Sequence, residues 1–147
     1  MITAVDTSVL LDIFLADPVH GIRSANALRE AITQGQLLAC GIVFAEVAAH
    51  FPTETAAAAA MKDLGVEYGE LTMAASLQAG TAWREYRRAG GPRHQLVADF
   101  LIAAHANQTA DRLLTRDRGF SRRWFKQLEV WDPSLTSLPT TKKGNEP

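Results

Sequence analysis

Ile2-Thr3-Ala4-Val5-Asp6-Thr7-Ser8-Val9-Leu10-Leu11-Asp12-Ile13-Phe14 is the stretch whose reading decides the fold. Ile2 to Val5 is a short apolar run with β-branched members, and it stops at Asp6. Thr7-Ser8 then open a segment with apolar residues at Val9, Leu10, Ile13 and Phe14, the spacing of a helix face. The pattern predicts a buried strand passing directly into a capped helix.

Working outward, the same alternation returns. Ala25 to Ala31 is expected to be helical after the Asp17-Pro18 break, with Gly35 as its stop, and Leu37 to Cys40 is a second strand ended by Gly41. Helices are expected over Ile42 to His50, over Ala56 to Leu64, over Thr72 to Ala89 and over Val97 to Ala106. Leu113-Leu114 and Leu128 to Trp131 complete the strands, with a basic loop and helix between them. Short apolar strands alternating with helices imply a parallel sheet covered on both faces, and in such α/β folds ligands bind beyond the carboxyl ends of the strands.

The length of 147 residues suits one domain. A composition of 47% hydrophobic and 21% charged residues excludes a disordered chain. Asp6, Asp12 and Asp17 interrupt the apolar N-terminus, which argues against a membrane span and against a signal peptide. Cys40 is the sole cysteine, so no internal disulfide can form and a cytoplasmic location is expected. The net charge of −1 conceals an asymmetry. Residues 1–80 carry three Lys/Arg against nine Asp/Glu, whereas residues 81–147 carry twelve against seven, a hint of a polyanionic partner.

Four acids follow or flank these elements: Asp6 after the first strand, Glu46 on the helix after the second, Asp99 in an otherwise apolar helix, and Asp117 beyond Leu113-Leu114. Each has a plain alternative as a cap, a solvated charge or a turn residue. Asp99 argues for a common role, because an anion between Ala98 and Phe100-Leu101-Ile102 is costly without a partner. Converging carboxylates repel one another unless a cation joins them, and Mg²⁺ or Mn²⁺ prefers such oxygen donors and suits phosphate substrates. Such ions can activate water against a phosphodiester. Thr115 adds a hydroxyl beside the last acid. Arg84, Arg87, Arg88 and Arg93 precede the Asp99 helix, and Arg116, Arg118, Arg122 and Arg123 surround Asp117, so these eight are candidates to track a nucleic-acid backbone. A solvated face or an acidic protein partner is the alternative. No phosphate-loop, nucleophile-elbow, dinucleotide or zinc spacing is present.

Val5-Asp6-Thr7-Ser8-Val9-Leu10-Leu11-Asp12, the Glu46 helix, Ala98-Asp99-Phe100-Leu101-Ile102-Ala103-Ala104-His105-Ala106 and Leu114-Thr115-Arg116-Asp117-Arg118-Gly119-Phe120 together resemble the PIN domain, and within it the VapC toxins of toxin-antitoxin pairs. The resemblance covers about residues 2–133. It implies a three-layer α/β/α sandwich on a short, mainly parallel sheet, over residues 1–135; the segment 136–147, with two prolines and nothing to bury, is expected to be a flexible tail. It further implies an Mg²⁺- or Mn²⁺-dependent endoribonuclease in which Asp6, Glu46, Asp99 and Asp117 form the acidic quartet and Thr115 the neighbouring hydroxyl. Asp6, Asp99 and Asp117 are then expected to hold metal, with Glu46 completing the site or positioning water. A homodimer, a VapB-like antitoxin partner and an RNA substrate are the corresponding expectations. The basic stretch Gly91 to Val97 departs from many relatives. Two other readings remain open at this level: a binding module without hydrolysis, and a nuclease of RNA processing or DNA repair outside a toxin-antitoxin pair.

Overall fold

Ile2–Val5 forms β1, Asp6 stands in extended conformation with its carboxylate accepting the Thr7 amide N–H, and Thr7–Phe14 forms α1. The computed structural model describes residues 1–92, 97–117 and 120–135. Within them the chain continues as α2 (Gly21–Gln34), β2 (Gln36–Cys40), α3 (Gly41–Ala48), α4 (Glu54–Asp63), β3 (Val66–Gly69), α5 (Met73–Arg88), α6 (Val97–Thr109), β4 (Arg112–Leu114), α7 (Phe120–Trp124) and β5 (Glu129–Trp131), then a 3₁₀ turn at Pro133–Leu135. The strands form one sheet in the order β3-β2-β1-β4-β5, every pair parallel.

Successive strand residues face opposite sides of a sheet. Thr3, Ala4 and Val5 are all buried, as are Arg112, Leu113 and Leu114, so helices cover both faces of the central strands. α6 packs on α5, α3, β1 and β4, and α1 packs on α2 and α3. The result is the three-layer α/β/α arrangement expected. Phe100, Leu10, Leu37, Met61, Leu113 and Leu114 are buried almost completely, and each such side chain contributes about 1.5–3 kcal/mol by leaving water.

Several boundaries differ from the sequence expectation for identifiable reasons. α2 begins at Gly21, not Ala25, because the Asp17 carboxylate accepts the Val19 and His20 amides at 2.9 and 2.7 Å while its carbonyl accepts Gly21 N–H. Those two amides hold the Asp17 carboxyl below the usual carboxylate range. Gly35 ends α2 as expected. Its φ is 156°, and a Cβ there would stand 2.0 Å from the Met1 carbonyl oxygen, so only glycine allows the approach to β1. α3 ends at Ala48 rather than His50, and α6 runs on to Thr109, whose Oγ1 donates to the His105 carbonyl oxygen. β3 was not anticipated. Glu67 and Tyr68 are exposed and Val66 alone is well buried, so this edge strand lacks the apolar run that marks a central one. Residues 136–147, expected to be a flexible tail, lie outside the described residues. Among the described residues no helix is long and apolar enough to cross a membrane.

The exit from α1 carries local strain. Leu15 caps the helix and Ala16 follows with φ 49°, the left-handed region that costs a residue with a Cβ about 1 kcal/mol. Ala16→Gly is therefore expected to raise unfolding free energy by about 1 kcal/mol, measured by urea denaturation. Equal or lower stability would show that the Ala16 methyl makes contacts worth as much as the strain.

Candidate active site

The register of β1 against β4 pairs Val5 with Leu114, so the two strands deliver Asp6 and Thr115 side by side at the carboxyl edge. Asp6 N–H donates to the Leu114 carbonyl at 3.0 Å, and Thr115 N–H donates to the Trp131 carbonyl at 3.0 Å, which ties both residues to the sheet. The buried Thr115 hydroxyl donates to Asp6 Oδ2 at 2.6 Å and accepts the Asp117 amide at 3.2 Å. One hydroxyl thus fixes both an acid and the loop that carries the next acid.

Asp6, Asp99 and Asp117 line one cavity of about 210 Å³, together with Ser8, Arg116 and Ser121. Asp6 enters at the start of α1, Asp99 from the first turn of α6, and Asp117 from the loop between β4 and α7. Asp117 is held by Ser121, whose amide donates to Oδ2 at 2.9 Å and whose hydroxyl donates to the same oxygen. An aromatic cluster places these segments relative to one another. Phe100 meets Tyr86 at 5.3 Å and Phe120 at 4.9 Å, and Tyr86 meets Trp124 at 5.5 Å, all edge to face. The residue after Asp99 and a residue three beyond Asp117 are thereby locked together.

Burial pushes the Asp6 carboxyl up to about 6, and the charges of Asp117 and Asp99 add to that push. Hydrogen bonds from Thr115 and from the Thr7 amide oppose it. The raised value is mainly the cost of holding a carboxylate away from water, with a smaller addition from the two neighbouring carboxylates. Glu46 stands to one side. It is exposed on α3 and accepts the Thr7 hydroxyl at 3.0 Å, so Thr7 links it to Asp6 through one residue, but it does not line the cavity.

The arginines expected to track RNA divide into distinct environments. Arg84, Arg87 and Arg88 are exposed on α5, with Arg87 lying 4.5 Å over the Trp83 ring. Arg122 donates to the Val130 carbonyl at 2.8 Å, and Arg123 lies 5.3 Å over Trp124. Arg116 is paired to Asp12 through Nε at 2.7 Å and Nη2 at 2.8 Å. Arg93 and Arg118 fall outside the described residues. Sequence reasoning passed over Asp12 and Ser24, whose hydroxyl also donates to Asp12 at 2.7 Å. The signal was present, since Asp12 lies between Leu11 and Ile13 and a buried anion needs a partner there as much as Asp99 does.

The donor set is entirely oxygen, which suits a hard divalent cation such as Mg²⁺ or Mn²⁺. Among the described residues no three His, Cys, Asp or Glu side chains are already gathered into a coordination cage. The fit is therefore one of chemistry: three carboxylates line one cavity, and the charge of buried Asp6 carries a cost that a bound cation would offset.

The PIN domain family model matches residues 3–126. No curated protein matches the chain. Among solved structures, VapBC2 from Rickettsia felis bound to a DNA fragment from its promoter is similar at 19% identity and TM-score 0.69, covering 89% of this chain and 98% of that one. VapBC-1 from nontypeable Haemophilus influenzae is similar at 19% identity and TM-score 0.69, over 91% and 99%. A toxin-antitoxin complex from Klebsiella pneumoniae is similar at 18% identity and TM-score 0.62, over 89% and 97%. At these identities the likeness is one of fold, and it agrees with the sheet order and with the family match across most of the chain. The chain belongs to the PIN domain family.

Proposed function

We propose that this protein is a divalent-metal-dependent endoribonuclease acting as the toxin of a toxin-antitoxin pair. The observation that carries the reading is the single cavity in which Asp6, Asp99 and Asp117 meet from three separate segments. PIN domains are generally nucleases and generally depend on divalent metal, which supports hydrolysis over binding alone. The similarity to toxin-antitoxin structures supports an antitoxin partner of the VapB type; a homodimer and a cytoplasmic location belong to the same reading.

In this reading Asp6, Asp99 and Asp117 hold Mg²⁺ or Mn²⁺, and Glu46 adjoins them through Thr7. When bound, such an ion polarises the phosphodiester and lowers the pKa of attacking water. The chain's own residues do the positioning. Thr115 aims Asp6 Oδ2 and anchors the Asp117 amide, and Ser121 orients the Asp117 carboxylate. Ser8 Oγ stands 3.4 Å from Asp6 Oδ2 at the cavity wall, where it can orient water. The exposed cations of α5 and α7 supply the charge that draws a phosphate backbone to the site.

RNA cleavage is expected with Mg²⁺ or Mn²⁺ and to stop on addition of EDTA. Asp99→Asn is expected to lower the rate by more than about 100-fold, since even residues behind metal ligands commonly cost 10–100-fold in metal affinity. Mapping of RNA ends generated by wild type and variant checks both statements. Full activity in EDTA, or in Asp99→Asn, contradicts them, and RNA binding without new ends under any divalent ion would favour a binding module.

The strain at Asp6 gives a stability test. Its carboxyl titrates near 6 when folded and near 3.8 when unfolded, so between those values the folded state binds more protons. Metal-free protein should therefore lose stability as pH rises through that window, by up to about 3 kcal/mol for a shift of about two units. Asp6→Asn removes the titration, and in EDTA at pH 7 it is expected to be more stable than wild type by about 1–3 kcal/mol while losing cleavage. A stability difference that is the same at pH 4 and pH 7 would contradict this account.

A further inference from the structure

Among the described residues the acidic cavity has one basic wall. Arg116 lines it beside Asp6, Asp99 and Asp117, and its side chain keeps 28% of its surface exposed. The partner that holds it, Asp12, is not part of that cavity's lining. Asp12 is 3% exposed on α1, and its Oδ2 accepts both Arg116 Nε and Ser24 Oγ at 2.7 Å, while Oδ1 accepts Arg116 Nη2 at 2.8 Å. This side-on fork fixes the plane of the guanidinium and occupies its Nε/Nη2 edge. Among the described residues no acceptor is bonded to Nη1.

The arrangement is informative because of what it prevents. An arginine beside these carboxylates has oppositely charged acceptors within the same cavity. Asp12, buried and reinforced by Ser24, holds Arg116 by its other edge and leaves the remaining N–H groups for an outside acceptor. Lysine cannot do both, because its ammonium has no rigid second edge. Arg122 and Arg123 differ, being bonded to the Val130 carbonyl and laid over Trp124 respectively.

We propose that Arg116 is a phosphate-binding residue of the nuclease site, held side-on by Asp12 and Ser24 so that its free N–H edge receives a non-bridging phosphate oxygen of the RNA strand crossing Asp6, Asp99 and Asp117. The proposal rests on the nuclease reading above. Asp12 and Ser24 are positioning residues in it, acting only through Arg116.

The test measures single-stranded RNA binding against salt concentration with Ca²⁺ in place of the catalytic ion, and Mn²⁺ binding by calorimetry without RNA. Arg116→Gln is expected to weaken RNA binding about tenfold or more, as loss of a charge-assisted pair of hydrogen bonds does. The slope of log affinity on log salt should fall by about 0.7, the value for one phosphate contact on a single strand. Mn²⁺ affinity should stay at the wild-type value. Arg116→Lys, which keeps the charge without the fork, should keep the wild-type slope yet bind RNA more weakly, and it carries the test should Arg116→Gln fail to fold. Asp12→Asn should likewise keep the slope and weaken binding severalfold. Unchanged RNA affinity and slope in Arg116→Gln would overturn the proposal, as would wild-type RNA affinity in Arg116→Lys. A parallel loss of Mn²⁺ affinity would overturn it too, by showing that Arg116 only anchors the Asp117 loop. Wild-type protein that neither binds RNA here nor cleaves it with Mg²⁺ or Mn²⁺ would remove the nuclease reading and this proposal together, whereas cleavage by wild type with no effect of Arg116→Gln would remove this proposal alone.

Discussion

The hydrogen bond from Thr115 Oγ1 to Asp6 Oδ2, 2.6 Å long, joins the ends of two neighbouring strands, and the rest of the site is arranged around it. It exists because β1 and β4 run parallel in a register that sets Val5 against Leu114. A slip of one residue would turn Thr115 to the other face and leave the Asp6 carboxylate without its strongest support. The same hydroxyl accepts the Asp117 amide, so the position of one acid and the backbone of another depend on one buried side chain. The cost of burying the Asp6 charge acts against this arrangement, and the packed sheet and aromatic cluster hold it in place.

Much of this was legible in the chain before folding. Ile2 to Val5 followed by Asp6-Thr7 reads as strand, cap and helix because the apolar run stops where the cap begins, and the structure places the cap at Asp6. Asp99 was conspicuous because its neighbours are apolar. Other features were not legible. β3 has one well-buried residue and two exposed ones, so its pairing with β2 comes from the sheet edge and not from local pattern. The Asp17 carboxylate starts α2 early through two local bonds, from the amides of Val19 and His20, which apolar spacing does not reveal. Glu46 looked equivalent to the other acids in the sequence, whereas in the structure it meets Thr7 and stands outside the cavity.

Charge is the second theme. The basic half of the chain appeared to surround Asp117 uniformly, yet its arginines play unlike parts. Arg112 is buried at the amino end of β4, where Nε donates to Thr3 Oγ1 at 2.9 Å and the guanidinium lies 4.4 Å over Trp131. Its contacts are with the sheet and with Gln34, and it is not among the residues that line the acidic cavity. Arg84 and Arg88 are exposed. Spacing in sequence cannot separate these cases, because an arginine stem is long enough for its head to reach several environments.

The parallel topology has a consequence in time as well as in space. β1 is the central strand, and its two neighbours come from distant parts of the chain, β2 soon after it and β4 more than a hundred residues later. During synthesis the first acid emerges early, but the hydroxyl that aims it and the loop bearing Asp117 are 109 residues or more behind. Closing so long a loop is a late event, and domains fold as units once their non-local contacts can form. A nascent chain on the ribosome therefore carries no assembled acidic cavity until nearly all of the domain has been made.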